Sequence, residues 1–164
     1  MNGYLRIPPR GVSAIVADVR TWGSHGVETG AVLLTAPGDD AVRVVALAGT
    51  SGVIRRPGLF VLTHKVIDTL FTYAEDRGLQ ARAQVHSHRG RAFLSKTDRE
   101  GNIRLPGFIA SVVPSFRAPS DRLEDWGWWT FARGDWEPTA CGQVDHDAAD
   151  ATVVKVDAEG IDEH

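Results

Sequence analysis

Val12, Ile15, Val16, Val19 and Trp22 recur at helical spacing, with Asp18 and Arg20 between them. This pattern predicts an amphipathic helix that opens after Pro8-Pro9 and closes near Gly23. Ala31–Thr35 is an apolar run of strand length, Pro37-Gly38-Asp39-Asp40 has turn chemistry, and Val42–Ala48 returns, so the stretch reads as a hairpin. Gly49–Gly58 carries three glycines and a proline and reads as a loop. Thr63–Arg77 places Val66, Ile67, Leu70, Phe71 and Ala74 on one stripe, with Thr63 as the expected N-cap and Gly78 as the stop. Ala81–His88 follows as a strand, then a short helical turn from Ser95 and a strand at Phe108–Val113. Pro114–Asp125 reads as a loop, and Trp126–Ala132 as a strand that turns at Arg133-Gly134-Asp135. The order of these elements predicts a single mixed α/β domain, a curved sheet flanked by helices.

Composition narrows the functional class. A chain of 164 residues can bury a core as one domain. The single Cys141 excludes an internal disulfide framework or a multi-cysteine zinc site, and suits a reducing cytoplasm. No apolar run reaches the roughly 20 residues of a membrane span, and the N-terminal stretch has no apolar signal-like run, so neither membrane nor secretion is expected. The net charge of −3 is uneven. Gly142–His164 holds seven acidic residues against one lysine, which leaves residues 1–141 mildly basic at +3. That is too dilute for the concentrated stripe that nucleic acid needs. The expected organisation is therefore a domain over residues 1–141 and an acidic tail over 142–164. The tail reads as solvated or disordered, with a strand at Ala151–Val156 as the alternative.

Chemistry concentrates in His86-Ser87-His88-Arg89-Gly90-Arg91-Ala92-Phe93-Leu94-Ser95-Lys96-Thr97-Asp98. Residues two apart on a strand face the same side, roughly 7 Å apart at their Cα atoms, so His86 and His88 can converge on one ion. Arg82 and Gln84 share their parity, while Ala81, Ala83 and Val85 take the other. This predicts that the histidines stand on the polar side of a half-buried strand, open to substrate. A catalytic zinc wants three protein ligands and one open position, and Asp98 is the natural third ligand. Two neutral imidazoles and one carboxylate leave the centre at +1, which acidifies a bound water. No glutamate lies between His86 and Asp98, so the base must come from elsewhere, and Glu28 at the mouth of the first strand is the candidate. Each part has an ordinary alternative: His-x-His as structural histidines, Glu28 as a surface carboxylate, and Ser95-Lys96-Thr97-Asp98 as a helix cap with a charged first turn.

The ordered set Glu28, His86/His88, Ser95 and Asp98 resembles the JAMM (MPN+, JAB-type) zinc metalloprotease family, whose pattern is an upstream glutamate, His-x-His, a loop and Ser-x-x-Asp. The resemblance spans roughly residues 10–135. Within the family the chain is similar to small bacterial members encoded beside ubiquitin-like conjugation genes. It implies an MPN/JAB-like, cytidine-deaminase-like architecture and one zinc held by His86, His88 and Asp98. It also implies Glu28 as general acid/base and Ser95 as a support for the oxyanion. The implied activity is cleavage after the C-terminal glycine of a ubiquitin-like protein, in a precursor or a conjugate. The implied partners are that protein, its conjugates and the cognate activating and conjugating enzymes. Two positions depart from the family: Arg89 stands where a proline is usual, and the six residues between His88 and Ser95 are one fewer than is common.

Two other functions fit the ligand set. A 2-His-1-carboxylate iron oxygenase or cupin uses the same residues, although the strong helix at Thr63–Arg77 argues against a cupin barrel. A silent MPN-type scaffold would bind partners without catalysis, and would be expected to have lost ligands. Elsewhere, His64 is expected to be exposed or capping, His25 to stand outside the chemistry, and Trp126, Trp128 and Trp129 to pack across strands. Arg55 and Arg56 read as a solvated loop pair, with contact to an acidic or C-terminal carboxylate as the alternative.

Overall fold

The stripe at Val12, Ile15, Val16 and Val19 is buried as α1 (Pro9–Gly23), which follows a short β1 (Arg6–Ile7) and carries proline in its first turn, where no N–H is needed. The computed structural model describes residues 4–148 and 150–163; the first three residues of the N-terminal stretch and the last residue of the acidic segment lie outside them. After α1 the expected hairpin forms as β2 (Gly30–Thr35) and β3 (Val42–Ala48). A second hairpin, β4 (Val53–Arg56) and β5 (Leu59–Leu62), precedes α2 (His64–Asp76). Then come β6 (Gln80–Ser87), α3 (Lys96–Gly101), β7 (Ile109–Val113), β8 (Gly127–Ala132) and β9 (Asp135–Pro138). The chain closes with β10 (Gln143–Val144), which pairs with β1, and with β11 (Thr152–Asp157) and β12 (Gly160–Glu163).

Eight strands form one mixed sheet in the order β12-β11-β3-β2-β6-β7-β8-β9. The β6–β7 and β3–β11 pairs are parallel and the other neighbours antiparallel. Alternating side chains separate the two faces. Leu33, Val45, Ala83, Val85 and Ile109 pack under α1, while Val32, Val44, Val154 and Val156 pack under Val66, Leu70 and Tyr73 of α2. A third cluster, with Leu94, Ala110, Val112 and Trp136, lies beyond α2. Among the described residues no helix is long and apolar enough to cross a membrane.

Four expectations change. The segment from Gly49 to Gly58 is not a plain loop: Val53-Ile54 and Phe60-Val61 pair around Pro57-Gly58, and the glycines mark only its ends. In the acidic segment the strand alternative holds over the disordered one: β11 lies beside β3 because Val153, Val154 and Val156 find apolar cover on both faces. Thr63 stands at the N-cap of α2 but does not cap it; its hydroxyl donates to Gly52 O at 2.7 Å, tying the helix to the second hairpin. Finally, β6 is not half-buried where it matters. Its first residues are partly exposed, but Gln84 to Ser87 are covered on both faces, because β5 and the N-terminus of α2 close over the polar side.

Candidate metal centre

Three segments meet at the end of β6. His86 lies within it and His88 just past it, with the His88 N–H donating to Val113 O (2.9 Å) and its carbonyl accepting from Phe116 N–H (3.0 Å). Asp98 arrives from α3 through a capping box: Ser95 Oγ accepts from the Asp98 N–H, and Asp98 Oδ2 accepts from the Ser95 N–H, both at 3.0 Å. Glu28 precedes β2, with its N–H donating to Arg56 O at 3.0 Å. Gly30 permits this assembly, since a side chain there would start 2.6 Å from the Phe60 ring that β5 lays over β2. The loop that is one residue short still delivers Asp98, and Arg89 is exposed.

His86 Nε2, His88 Nε2 and Asp98 Oδ2 form a nearly equilateral triangle with sides of 3.2, 3.1 and 3.2 Å. The ligand atoms of a tetrahedral zinc at about 2.0–2.1 Å stand roughly 3.3 Å apart, so the triangle matches one face of such a site. In the metal-free chain, imidazole protons shared with Asp98 satisfy these atoms, and a bound cation would take the place of those protons. Glu28 belongs to the same cluster, whose ligand atoms all lie within 4.8 Å of one another, but its Oε2 stands 4.0 Å from His88 Nε2, outside the triangle. All four side chains are at most 7% exposed. Glu28 Oε1 is buried without a protein partner, as expected of a carboxylate whose partner is a water at the metal. The residues present therefore fit one metal ion.

The electrostatics separate the two carboxylates. Burial pushes Glu28 up to about 7, with the His88 charge opposing and the Asp98 charge adding to the rise. Burial acts on Asp98 too, but hydrogen bonds from His86, His88 and the Ser95 N–H outweigh it and hold the carboxyl well below its ordinary range. Burial lowers the His88 imidazole, while Asp98 and Glu28 more than compensate, leaving it raised. In the metal-free chain the two carboxyls are thus pushed apart, Asp98 held ionised among the nitrogens and Glu28 raised by burial, which is the separation that acid/base chemistry uses.

A cleft of about 560 Å³ opens beside His86 and Asp98, walled by Phe60–Leu62 of β5, Ile67 of α2 and Asn102–Ile103. His64 is exposed and lines its rim. His25 is also exposed and is absent from the cluster; Trp126 and Trp128 are core residues, but they stack on each other within one segment at 6.0 Å and not across strands. Phe93, which motif spacing did not single out, stands edge-on to His88 at 4.7 Å and fixes that ring from the solvent side. Its position in the loop after His-x-His was the only available signal.

No family model matches the chain, and no curated protein matches it. Solved structures do. A solution structure of the Desulfitobacterium hafniense protein DSY2949 superimposes with a TM-score of 0.66 at 12% identity, over 89% of this chain and 94% of that one. A Salinibacter ruber protein gives 0.52 at 23% identity, over 83% and 92%. AF2198, a JAB1/MPN domain protein from Archaeoglobus fulgidus, gives 0.49 at 16% identity, over 86% and 100%. The first two likenesses establish that this mixed α/β fold is shared nearly end to end by proteins of very different sequence.

Proposed function

We propose that the chain is a JAMM-type zinc isopeptidase of MPN/JAB-like, cytidine-deaminase-like architecture that works in the bacterial cytoplasm. Its proposed reaction is cleavage after the C-terminal glycine of a ubiquitin-like protein, either maturing a precursor or releasing a conjugate. The observation that carries this reading is Glu28: a buried carboxyl near neutrality, facing a three-ligand triangle without being part of it. Hydrolysis needs such a proton carrier beside the attacking water.

His86, His88 and Asp98 would hold one zinc ion, which when bound polarises the scissile carbonyl and acidifies water. Glu28 takes the proton of the attacking water on its carboxylate and passes it to the leaving amine. Asp98 stays ionised throughout and keeps both imidazoles aimed inward. Phe93 packs edge-on against the His88 ring, and β5 walls the cleft beside His86 and Asp98. Among the described residues β5 pairs with β4 alone, so its other edge, along the cleft, is free to take an extended tail through main-chain hydrogen bonds. A small-residue tail suits that route. The folded part of the ubiquitin-like protein, with its conjugates and the cognate activating and conjugating enzymes, supplies the remaining contacts in this reading.

The test is incubation of the zinc-loaded chain with a ubiquitin-like protein fused through its C-terminal glycine to a reporter, with the cut site read by mass spectrometry. A single cut directly after that glycine is expected. Equal cleavage of generic peptides, or an intact fusion, overturns the substrate assignment.

Ser95 carries a second prediction. Its oxygen accepts the cap bond, which leaves its hydroxyl proton free to donate to an oxyanion. Ser95→Ala is expected to lower stability by about 1 kcal/mol through the lost cap and turnover by about 10²–10³ through the lost donor. Thermal melting and turnover of the same variant read the two effects. A loss of stability alone restricts Ser95 to capping.

A further inference from the structure

Behind the metal centre, on the α1 face of the sheet, lies a buried polar network that the proposed chemistry does not use. Thr29, next to Glu28, and Ser87, between the two histidines, are both fully buried. The Thr29 N–H donates to Ser87 Oγ and the Ser87 N–H donates to Thr29 O, both at 2.9 Å. This clamp welds the start of β2 to the end of β6, and therefore joins the element that carries Glu28 to the element that carries His86 and His88.

The Thr29 hydroxyl is itself held. It accepts from Arg55 Nε at 3.1 Å and donates to Asp18 Oδ2 at 3.3 Å. The rest of the Arg55 guanidinium is equally committed: Nη1 donates to Gly49 O and Nη2 to Ala48 O, each at 2.6 Å, and its plane stacks on Trp22 at 3.8 Å. A planar guanidinium reaches three acceptors from three separate nitrogens while stacking on a ring, whereas a lysine presents its three donors from a single atom. Arg55 is thus not the solvated loop residue that its Gly/Pro surroundings suggest. It ties β4, the end of β3 and α1 to the residue beside Glu28, and the next residue, Arg56, accepts the Glu28 N–H.

We propose that Arg55 is a positioning residue which, through the Thr29 hydroxyl and the Thr29–Ser87 clamp, holds the end of β6 that carries His86 and His88 in place and so tightens metal binding. The proposal rests on the metal-centre reading above. Supporting partners of metal ligands typically contribute 10–100-fold to affinity. Because both side chains act through one hydroxyl, their effects should not add.

The experiment measures the cobalt(II) dissociation constant by chelator competition at a temperature well below unfolding, with metal-free melting recorded in parallel. Thr29→Val removes only the hydroxyl and keeps the branched shape; Thr29→Ser retains the hydroxyl. Acting through the backbone and not on a ligand directly, Thr29→Val and Arg55→Met are each expected to weaken cobalt binding about tenfold, the lower end of what a directly bonded partner supplies, and Thr29→Ser to stay within about threefold of wild type. The double variant is expected to bind no more weakly than the weaker single one. Where Arg55→Met does not fold, Arg55→Lys takes its place, since it keeps the charge and loses the fork. Cobalt affinity unchanged in Thr29→Val and in the Arg55 variant, whatever happens to melting, overturns the proposal, as do additive losses in the double variant. A wild-type chain that fails to bind cobalt, or binds it as tightly as His88→Ala does, overturns the metal-centre reading instead, so the two failures are distinguishable.

Discussion

Glu28→Gln is expected to fold, to keep about one zinc per chain, and to lose about 10²–10⁴-fold in turnover, the usual worth of a positioned acid/base. The amide replaces the carboxyl almost without change of shape, and Glu28 lies outside the ligand triangle, so metal binding should survive. Turnover within tenfold of wild type would remove Glu28 from the mechanism. The same variant has a second signature in the metal-free chain. The folded-state value of about 7 lies above the ordinary 4.5, so the contribution of Glu28 to stability is fully present below about pH 4.5 and is lost as pH rises through 7. Metal-free Glu28→Gln should therefore match wild type near pH 4 and exceed it by about 3 kcal/mol at pH 8. Denaturant unfolding at the two pH values measures the difference, and equal stability at pH 8 would show that burial does not penalise the carboxylate.

Removal of a ligand should be felt most in affinity and in the metal's stabilisation of the fold. His88 contributes one of three mutually adjacent ligand atoms, and its loss leaves Asp98 and His86 with two. His88→Ala is expected to lose far more zinc affinity than the roughly 10–100-fold attached to a supporting partner. With free zinc at 1,000 times the wild-type dissociation constant, wild type should gain about 4 kcal/mol over its metal-free form, and His88→Ala little of it. Metal content after dialysis and melting with and without zinc are the measurements. Full zinc occupancy and an undiminished melting shift in His88→Ala would refute the ligand assignment. Iron in place of zinc at wild-type sites would redirect the chemistry toward the oxygenase alternative.

The elements that announced themselves are those whose periodicity is uninterrupted. The 3.6-residue stripe of α1 and the run through β2 and β3 were visible because burial of one face forces the spacing; on α2, Val66, Leu70 and Ala74 lie inside as read, but Phe71 is exposed and Tyr73 is buried in its stead. The two-residue parity of His86 and His88 was legible for the same reason, as was Ser95-x-x-Asp98 as a helix start. The β4–β5 hairpin was hidden because each strand has only four residues and glycine dominates its flanks. The place of β11 in the sheet was hidden by acidic residues on either side of it, although Val153, Val154 and Val156 carry the strand.

Local chemistry along the chain determined which groups are available: two imidazoles on one parity, a carboxylate held by its own cap, and a glutamate at a strand mouth. It could not determine their surroundings, because those come from segments remote in the chain. Only the folded sheet brings Glu28 within 4.0 Å of His88, sixty positions along the sequence. Only the covering by β5 and α2 buries the residues of a strand face that alternation alone marks as polar, and burial drives the Glu28 carboxyl up to about 7. Arg55 makes the same point, since its partners are Thr29, Ala48, Gly49 and the Trp22 ring, and none of them is a helical or strand neighbour in sequence. Periodicity records which face of an element is buried, while burial depth, charge coupling and the partners of a polar group depend on what the rest of the chain lays over that face.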